Sequence, residues 1–378
     1  MSRIFNITGP CDPKRHYTID ALRMLGNEIF TLIDQEEYFV IHAARQSGKT
    51  TLLLELARQI NSGGKYYALY CTLENVQAAP NAAEGIPAII GVIKNALVSY
   101  QFPNARSFKE NIDMSDHYSA LQMALTEYCR GIDKPLVILF DETDCLSGQT
   151  LISFLRQLRS GYVNRVNIPF VNSLALTGMR NIRDYRDEYR DPSQTLGSSS
   201  PFNIAAATMT LRNFTQKDVT ELYNQYTMET NQAFSKSAAE LIWERTQGQP
   251  WLVNAIAREI VKSQDNPDGE ISAGQVSSAI QTLVMRRDTH FDSLMARLRE
   301  DRVKRVIEPV IIGKEAAIDP LSDDYSYVKD LGLIRDDRGK TEPANPIYGE
   351  IIIRSLNWGV QREIEQTGTQ YQMWGLSK

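Results

Sequence analysis

Cysteine and histidine are both scarce in this 378-residue chain, at four residues each. Cys11, Cys71, Cys129 and Cys145 form no CxxC pair and have no histidine at metal-ligand spacing. That pattern excludes a disulfide framework and an ordinary structural zinc site, and it fits the reduced thiols of a cytoplasmic protein. Long uncharged runs are missing too. The start, Met1-Ser2-Arg3-Ile4-Phe5-Asn6, lacks the apolar stretch of a signal peptide, so a cytoplasmic protein with no membrane partner is expected. Nor is there a surplus of positive charge: 41 Lys and Arg face 46 Asp and Glu, a net charge of -5. Nucleic-acid binding is therefore not a whole-chain property, although a local basic face remains open. Apolar content of 42% and charged content of 23% are ordinary for a globular protein, and the length suggests two or three domains.

What is present is a run that reads as strand, loop and helix: Tyr38 to His42, then Ala43-Ala44-Arg45-Gln46-Ser47-Gly48-Lys49-Thr50, then Thr51-Leu52-Leu53-Leu54-Glu55-Leu56. A loop between a strand and a helix N-terminus turns backbone N–H groups inward, where they and the helix dipole hold phosphate. On this reading Ala44, Arg45, Gln46, Ser47, Gly48 and Thr51 form a nucleotide cradle. Lys49 reaches the β- and γ-phosphates, and the Thr50 hydroxyl sits on Mg²⁺. Ala43 stands where the full pattern has its first glycine, a place alanine can take if its φ stays negative. Gly-Lys-Thr alone also arises by chance, so the context decides.

That context is Lys134-Pro135-Leu136-Val137-Ile138-Leu139-Phe140-Asp141-Glu142, an apolar run ending in two acids. Such a run is expected of a parallel strand covered on both faces whose C-terminal end opens into a site. Asp141 would hold Mg²⁺, and Glu142 would polarise a water for in-line attack on the γ-phosphate. Asp144 either continues the site or caps a helix. Further strands are expected at 65–73, 170–177 and 203–211, which with 38–42 and the acid-tipped strand make five. Helices are expected at 19–33, 86–100, 117–131 and 150–160. The alternation predicts a three-layer α/β/α fold on a parallel sheet. At the tip of the strand ending at Thr177, a polar group could sense the γ-phosphate, Thr177 first and Arg180 second. Arg183, Arg186 and Arg190 read as surface, or as one arginine reaching a neighbouring subunit's nucleotide. Residues 193–200 read as a loop. His16 and Tyr17 are candidates to meet the base, against the alternative that they only pack.

From Thr215 the strand pattern stops. Helices at 215–230, 235–246 and 252–263 suggest a small lid, with Gly248 and Pro250 setting a turn beside the base or ribose. Residues 272–358 carry a long charged helix through Arg286, Arg287, Arg297, Arg299, Arg302, Lys304 and Arg305. A hairpin tip at 336–340 follows, a pattern suggesting a winged helix. Asp288, Asp292, Glu300 and Asp301 are interleaved with those cations. The expected domains are 1–213, 214–270 and 271–378.

Together the motifs resemble P-loop ATPases of the AAA+ and STAND type, and within them bacterial AAA-like ATP-binding proteins. The likeness rests on Asn6-Ile7-Thr8-Gly9-Pro10, the run from His42 to Thr50, Leu139-Phe140-Asp141-Glu142-Thr143-Asp144, Gly178-Met179-Arg180 and Gly248-Gln249-Pro250-Trp251-Leu252-Val253-Asn254. It extends to Arg286-Arg287-Asp288-Thr289-His290 and Asn345-Pro346-Ile347-Tyr348. The resemblance implies ATP and Mg²⁺ as cofactors, Lys49 and Thr50 on phosphate and metal, Asp141 supporting the metal, and Glu142 activating water. The chain departs from the pattern at Ala43, and again after Gly248, where the first arginine, Arg258, comes late for a lid sensor. Two functions follow as expectations. One is a Mg²⁺-dependent ATPase, with a homo-oligomer as a candidate assembly. The other is a nucleotide-gated switch or scaffold that turns over little and binds DNA or a protein through its last domain. A small-molecule kinase fits less well, because the acid pair and lid suit water as the acceptor.

Overall fold

The computed structural model describes residues 2–26, 28–108, 110, 112–146, 148–178, 204–263, 269–286, 288–313 and 319–367, the last stretch beyond 356 by its helix backbone alone. In chain order the elements are β1 (Ile4–Phe5), β2 (His16–Tyr17), α1 (Glu28–Asp34), β3 (Tyr38–His42), α2 (Lys49–Gly63), β4 (Tyr67–Thr72), α3 (Ala82–Ser99), α4 (Ala120–Arg130), β5 (Leu136–Asp141), α5 (Gly148–Asn164), β6 (Ser173–Gly178) and β7 (Ala207–Thr210). There follow α6 (Gln216–Thr230), α7 (Lys236–Thr246), α8 (Pro250–Lys262), α9 (Ala273–Arg286), α10 (Thr289–Arg297), α11 (Asp301–Ile312), α12 (Asp323–Asp330), β8 (Ile334–Asp337), β9 (Lys340–Pro343) and α13 (Pro346–Thr367).

Contacts divide the chain into two compact units: 8–13 with 18–213, and 1–7 and 14–17 with 214–378. The first is the α/β unit. Its sheet has five strands in the order β4-β5-β6-β3-β7, all parallel. Strand residues alternate between two buried faces, as parallel strands covered by helices do. Tyr38 and Val40 of β3, Ile138 and Phe140 of β5, and Leu174 and Leu176 of β6 pack into one core with Ile86, Ile90, Leu121, Leu125, Phe154 and Leu158 of α3, α4 and α5. The intervening Phe39, Ile41, Val137 and Leu139 are buried as well. Helix α2 packs on β4 and β5, and α1 on β3 and β6. By length and composition α3 is apolar enough to cross a bilayer. Here its Ile86, Ile89, Ile90 and Ile93 are all fully buried in the core.

The expected helix at 19–33 is interrupted: a 3₁₀ turn at Ala21–Met24 is followed, past Gly26 with φ of 81°, by α1. Glycine takes that φ without the cost other residues meet.

The second unit is helical. Its N-terminal strands β1 and β2 form a parallel pair whose Phe5 and Tyr17 rings pack with Tyr226, 4.8 Å apart and 5.6 and 5.7 Å from it. Burial of these rings ties the first residues to α6 rather than to the α/β unit. Helices α8 and α9 pack together across residue 270, so the structure draws no boundary there between compact units. The long charged helix is instead three helices, α9, α10 and α11. Asp288 and Glu300 sit at the N-caps of the second and third. Strands β8 and β9 pair antiparallel.

Candidate nucleotide site

The site lies at the C-terminal edge of the sheet, where β3, β5 and β6 end. Strand β6 runs between β3 and β5, so its tip stands between the loop after β3 and the acids after β5. After β3 the chain turns through a loop in which Gln46 has φ of 59° and Gly48 of 97°. Ala43 is not among the positive-φ residues, which is the condition for alanine to stand in that place. The loop is closed by the Ser47 hydroxyl donating to the Ala44 carbonyl, at 2.7 Å. Gly48 is the N-cap of α2, and no side chain caps that end. The first N–H groups of a helix have no partner within it, so this end is built to receive an acceptor from outside. The Thr51 hydroxyl is used elsewhere: it accepts from the Cys11 backbone N–H at 2.9 Å. Arg45 is exposed at the loop surface.

Lys49 is 6% exposed, and its Nζ donates to the carbonyls of Ala43 and Ala44 at 2.9 and 3.3 Å. Burial lowers its pKa, while the charges of Glu142, Asp144 and Asp141 oppose that shift. A buried ammonium whose direct bonds go to neutral carbonyls leaves the local charge open to an anion. Thr50 Oγ1 donates to Asp141 Oδ2 at 2.7 Å, which brings the two expected metal residues together. A hydroxyl and one carboxylate beside a phosphate cradle is the donor set Mg²⁺ commonly shares with a nucleotide. The residues present therefore fit both a nucleotide and the metal.

Asp141 is 1% exposed and has further donors: Thr177 Oγ1 at 2.6 Å on Oδ1, the Glu142 backbone N–H at 3.1 Å on Oδ1, and Tyr70 OH at 3.1 Å on Oδ2. Thr177 thus stands between the two motifs, but its proton goes to Asp141, and it holds that carboxylate in place. Glu142 adopts φ of 56°, in the left-handed region that a non-glycine residue enters only under tertiary constraint. Burial raises its carboxyl pKa, Lys49 lowers it, and the charges of Asp144, Asp141 and Glu74 raise it further. A carboxylate whose pKa is raised is a stronger base toward the proton of a water. Asp144 belongs to this group by its charge. Its side chain lies against the position a Cβ would take on Gly178, 3.0 Å away, so that glycine gives it room.

Sequence reasoning missed Tyr70, which sits in a tyrosine-rich strand with nothing to single it out. It also missed Thr143, whose hydroxyl donates to the Thr177 carbonyl at 2.7 Å and ties the acid loop to β6. Arg180 lies outside the described residues, together with Arg183, Arg186, Arg190 and 193–200. His16, Tyr17 and Pro250 belong to the helical unit. Tyr17 is 1% exposed within the aromatic cluster, and Pro250 is buried at the first position of α8, where its fixed φ suits a helix start. The late arginine, Arg258, donates to the Phe5 carbonyl at 3.4 Å within the same unit.

Sheet order, loop and acid strand define a P-loop nucleotide-binding protein of the α/β class. The chain belongs to the AAA-like domain family, whose profile matches residues 24–352. Among solved structures it is similar to the Walker-type ATPase of Pyrococcus abyssi, with 13% identity, a TM-score of 0.61, and coverage of 92% of this chain and 99% of that one. It also matches ORC2 of Aeropyrum pernix, with 13% identity, a TM-score of 0.47, and coverage of 93% and 98%. RuvB of Thermotoga maritima matches at 13% identity with a TM-score of 0.43 and coverage of 94% and 99%. The comparison with curated proteins finds no match. At 13% identity the likeness to the Walker-type ATPase speaks for the fold alone, a P-loop ATPase architecture.

Proposed function

We propose that this chain is a Mg²⁺-dependent ATPase that works in the cytoplasm and passes its nucleotide state to the helical unit. The observation that carries the reading is the meeting of Lys49, Thr50, Asp141 and Glu142 at one edge of the sheet. In the proposed mechanism the loop amides and the N-terminus of α2 orient the phosphates, and Lys49 takes up charge on the β- and γ-oxygens. Thr50 and Asp141 would hold Mg²⁺, which when bound neutralises phosphate charge and orients the γ-phosphate. Thr177 fixes the Asp141 carboxylate. Glu142 accepts the proton of the attacking water.

Helices α10 to α12 with the β8–β9 hairpin we read as a winged helix, the part that meets a partner, and a homo-oligomer is the candidate assembly. Several of its cations are engaged by acids, Arg297 with Glu300, Arg305 with Asp324, and Lys329 with Asp336, and Arg286 at the end of α9 pairs with Asp288 and Glu259. That pairing favours a protein partner over a DNA duplex, which needs cations free for phosphate. The test is the anisotropy of a labelled duplex at low salt, with salt-sensitive binding as the result against it.

One observation favours the second reading, a slow nucleotide-gated switch: Arg258 is spent on the Phe5 carbonyl. One experiment decides between the two. Phosphate release and nucleotide binding are measured for the wild type, Lys49→Ala and Glu142→Gln. Turnover by the wild type, with Glu142→Gln binding ATP yet losing turnover by about 100-fold or more, is expected. Tight binding with no turnover in any of them would leave the switch.

A further inference from the structure

Asp141 carries more donors than a metal-supporting carboxylate can keep. A carboxylate offers about four lone-pair sites, two on each oxygen. Thr177 Oγ1 and the Glu142 N–H fill those of Oδ1, while Thr50 Oγ1 and Tyr70 OH fill those of Oδ2. A metal ion, or a water bound to it, can approach this group only by displacing one of the four. Three are poorly placed to leave. Thr177 is fully buried and donates at 2.6 Å. The Glu142 N–H belongs to the strand tip itself. Thr50 can present a lone pair to a metal while still giving its proton to Asp141.

Tyr70 is different. Its bond is long, at 3.1 Å, and its side chain is only partly buried. Tyr70 also lines a crevice of about 500 Å³ beside β4, an edge strand of the sheet, together with Tyr66, Tyr67, Tyr100 and Phe102. The phenol has somewhere to go.

We propose that Tyr70 is a positioning residue for the metal: its hydroxyl holds Asp141 Oδ2 while the metal is absent and swings into the crevice when the metal enters. This rests on the reading of the site as a Mg²⁺-nucleotide site. It adds a residue from β4, outside both sequence motifs, that sets how much Mg²⁺ the site requires.

The test compares the wild type with Tyr70→Phe in the full chain. Nucleotide binding is first measured in EDTA, and the Mg²⁺ concentration at half-saturation is then measured with nucleotide present. The variant is expected to bind nucleotide equally in EDTA and to need about three- to tenfold less Mg²⁺, because a hydrogen bond to a charged group no longer has to be broken. An unchanged or higher Mg²⁺ requirement overturns the proposal. A second measurement needs no loss of the hydroxyl: 3-fluorotyrosine placed at position 70 alone should shift its fluorine resonance when Mg²⁺ is added to nucleotide-saturated protein. A resonance that stays put also overturns it. If both proteins bind nucleotide with the same Mg²⁺ requirement, this inference alone falls. If neither binds nucleotide at any Mg²⁺ concentration, the reading of the site falls with it.

Discussion

Gly48 in the α/β unit and Gly248 in the helical unit both hold the left-handed backbone, at φ of 97° and 72°. Around a Cβ placed on Gly48 there is nothing within 4 Å. On Gly248 the same atom would fall 1.9 Å from the carbonyl oxygen of Phe214, and that residue's N–H donates to the Gly248 carbonyl at 2.9 Å. One glycine shapes a loop with open space beside it. The other lets two backbone segments close on each other. Sequence treats the two alike, since each stands beside a helix start, and only the neighbouring atoms tell an open glycine from a packing one.

The largest effect expected from this contrast is at Gly248. In Gly248→Ala the overlap is with backbone and cannot be relieved by a rotamer, so the helical unit should lose more than about 4 kcal/mol. Denaturant unfolding checks it, with nucleotide affinity of the remaining folded protein as the control. A loss under about 1 kcal/mol would erase the distinction between the two glycines. Next in size is Lys49→Ala, expected to weaken nucleotide binding by about 3 kcal/mol, since a buried charge then no longer meets the phosphates. Calorimetric titration measures it. Smaller again is Gly48→Ala, which meets no atom and carries only the cost of a left-handed alanine, about 1–2 kcal/mol of stability. A loss at Gly48 equal to that at Gly248 would mean the cradle is packed shut.

The α/β unit was largely legible in the sequence because its signals are local. An apolar strand that ends at a loop and a helix, or at two acids, carries its own burial and its own chemistry. The helical unit was less legible because its decisive contacts span the chain. The Phe5 and Tyr17 rings pack with Tyr226, and Trp251 donates to the Ile7 carbonyl at 3.1 Å; neither leaves a periodic trace. The charged stretch from Arg286 to Arg305 read as one helix because helical spacing persists through it. Asp288 and Glu300 at the N-caps divide it. Within the site, Lys49, Thr50, Asp141 and Glu142 were legible from motif spacing, whereas Tyr70 reaches Asp141 only through the pairing of β4 with β5.

The smallest expected effect is also the one that separates the units by sign. Glu142 is buried among the charges of Asp144, Asp141 and Glu74, and its carboxyl pKa is raised on folding. A raised folded-state pKa means the protonated form is the better tolerated one. The stability linked to it is fully present below the ordinary glutamate range near pH 4.3 and is lost as pH rises through the folded value. Above the folded value the ionised carboxylate therefore costs stability, and Glu142→Gln, neutral at every pH, should raise the melting temperature of the nucleotide-free protein. The gain should vanish as pH falls below about 4. In the helical unit the buried His290 and Tyr348 are joined by a hydrogen bond of 2.6 Å. Tyr348→Phe removes that partner and should cost about 1 kcal/mol. Thermal melts of both variants across pH test the pair. Removing a polar group relieves the candidate site at Glu142, where like charges crowd a buried carboxyl, and weakens the helical unit at His290 and Tyr348, which satisfy each other.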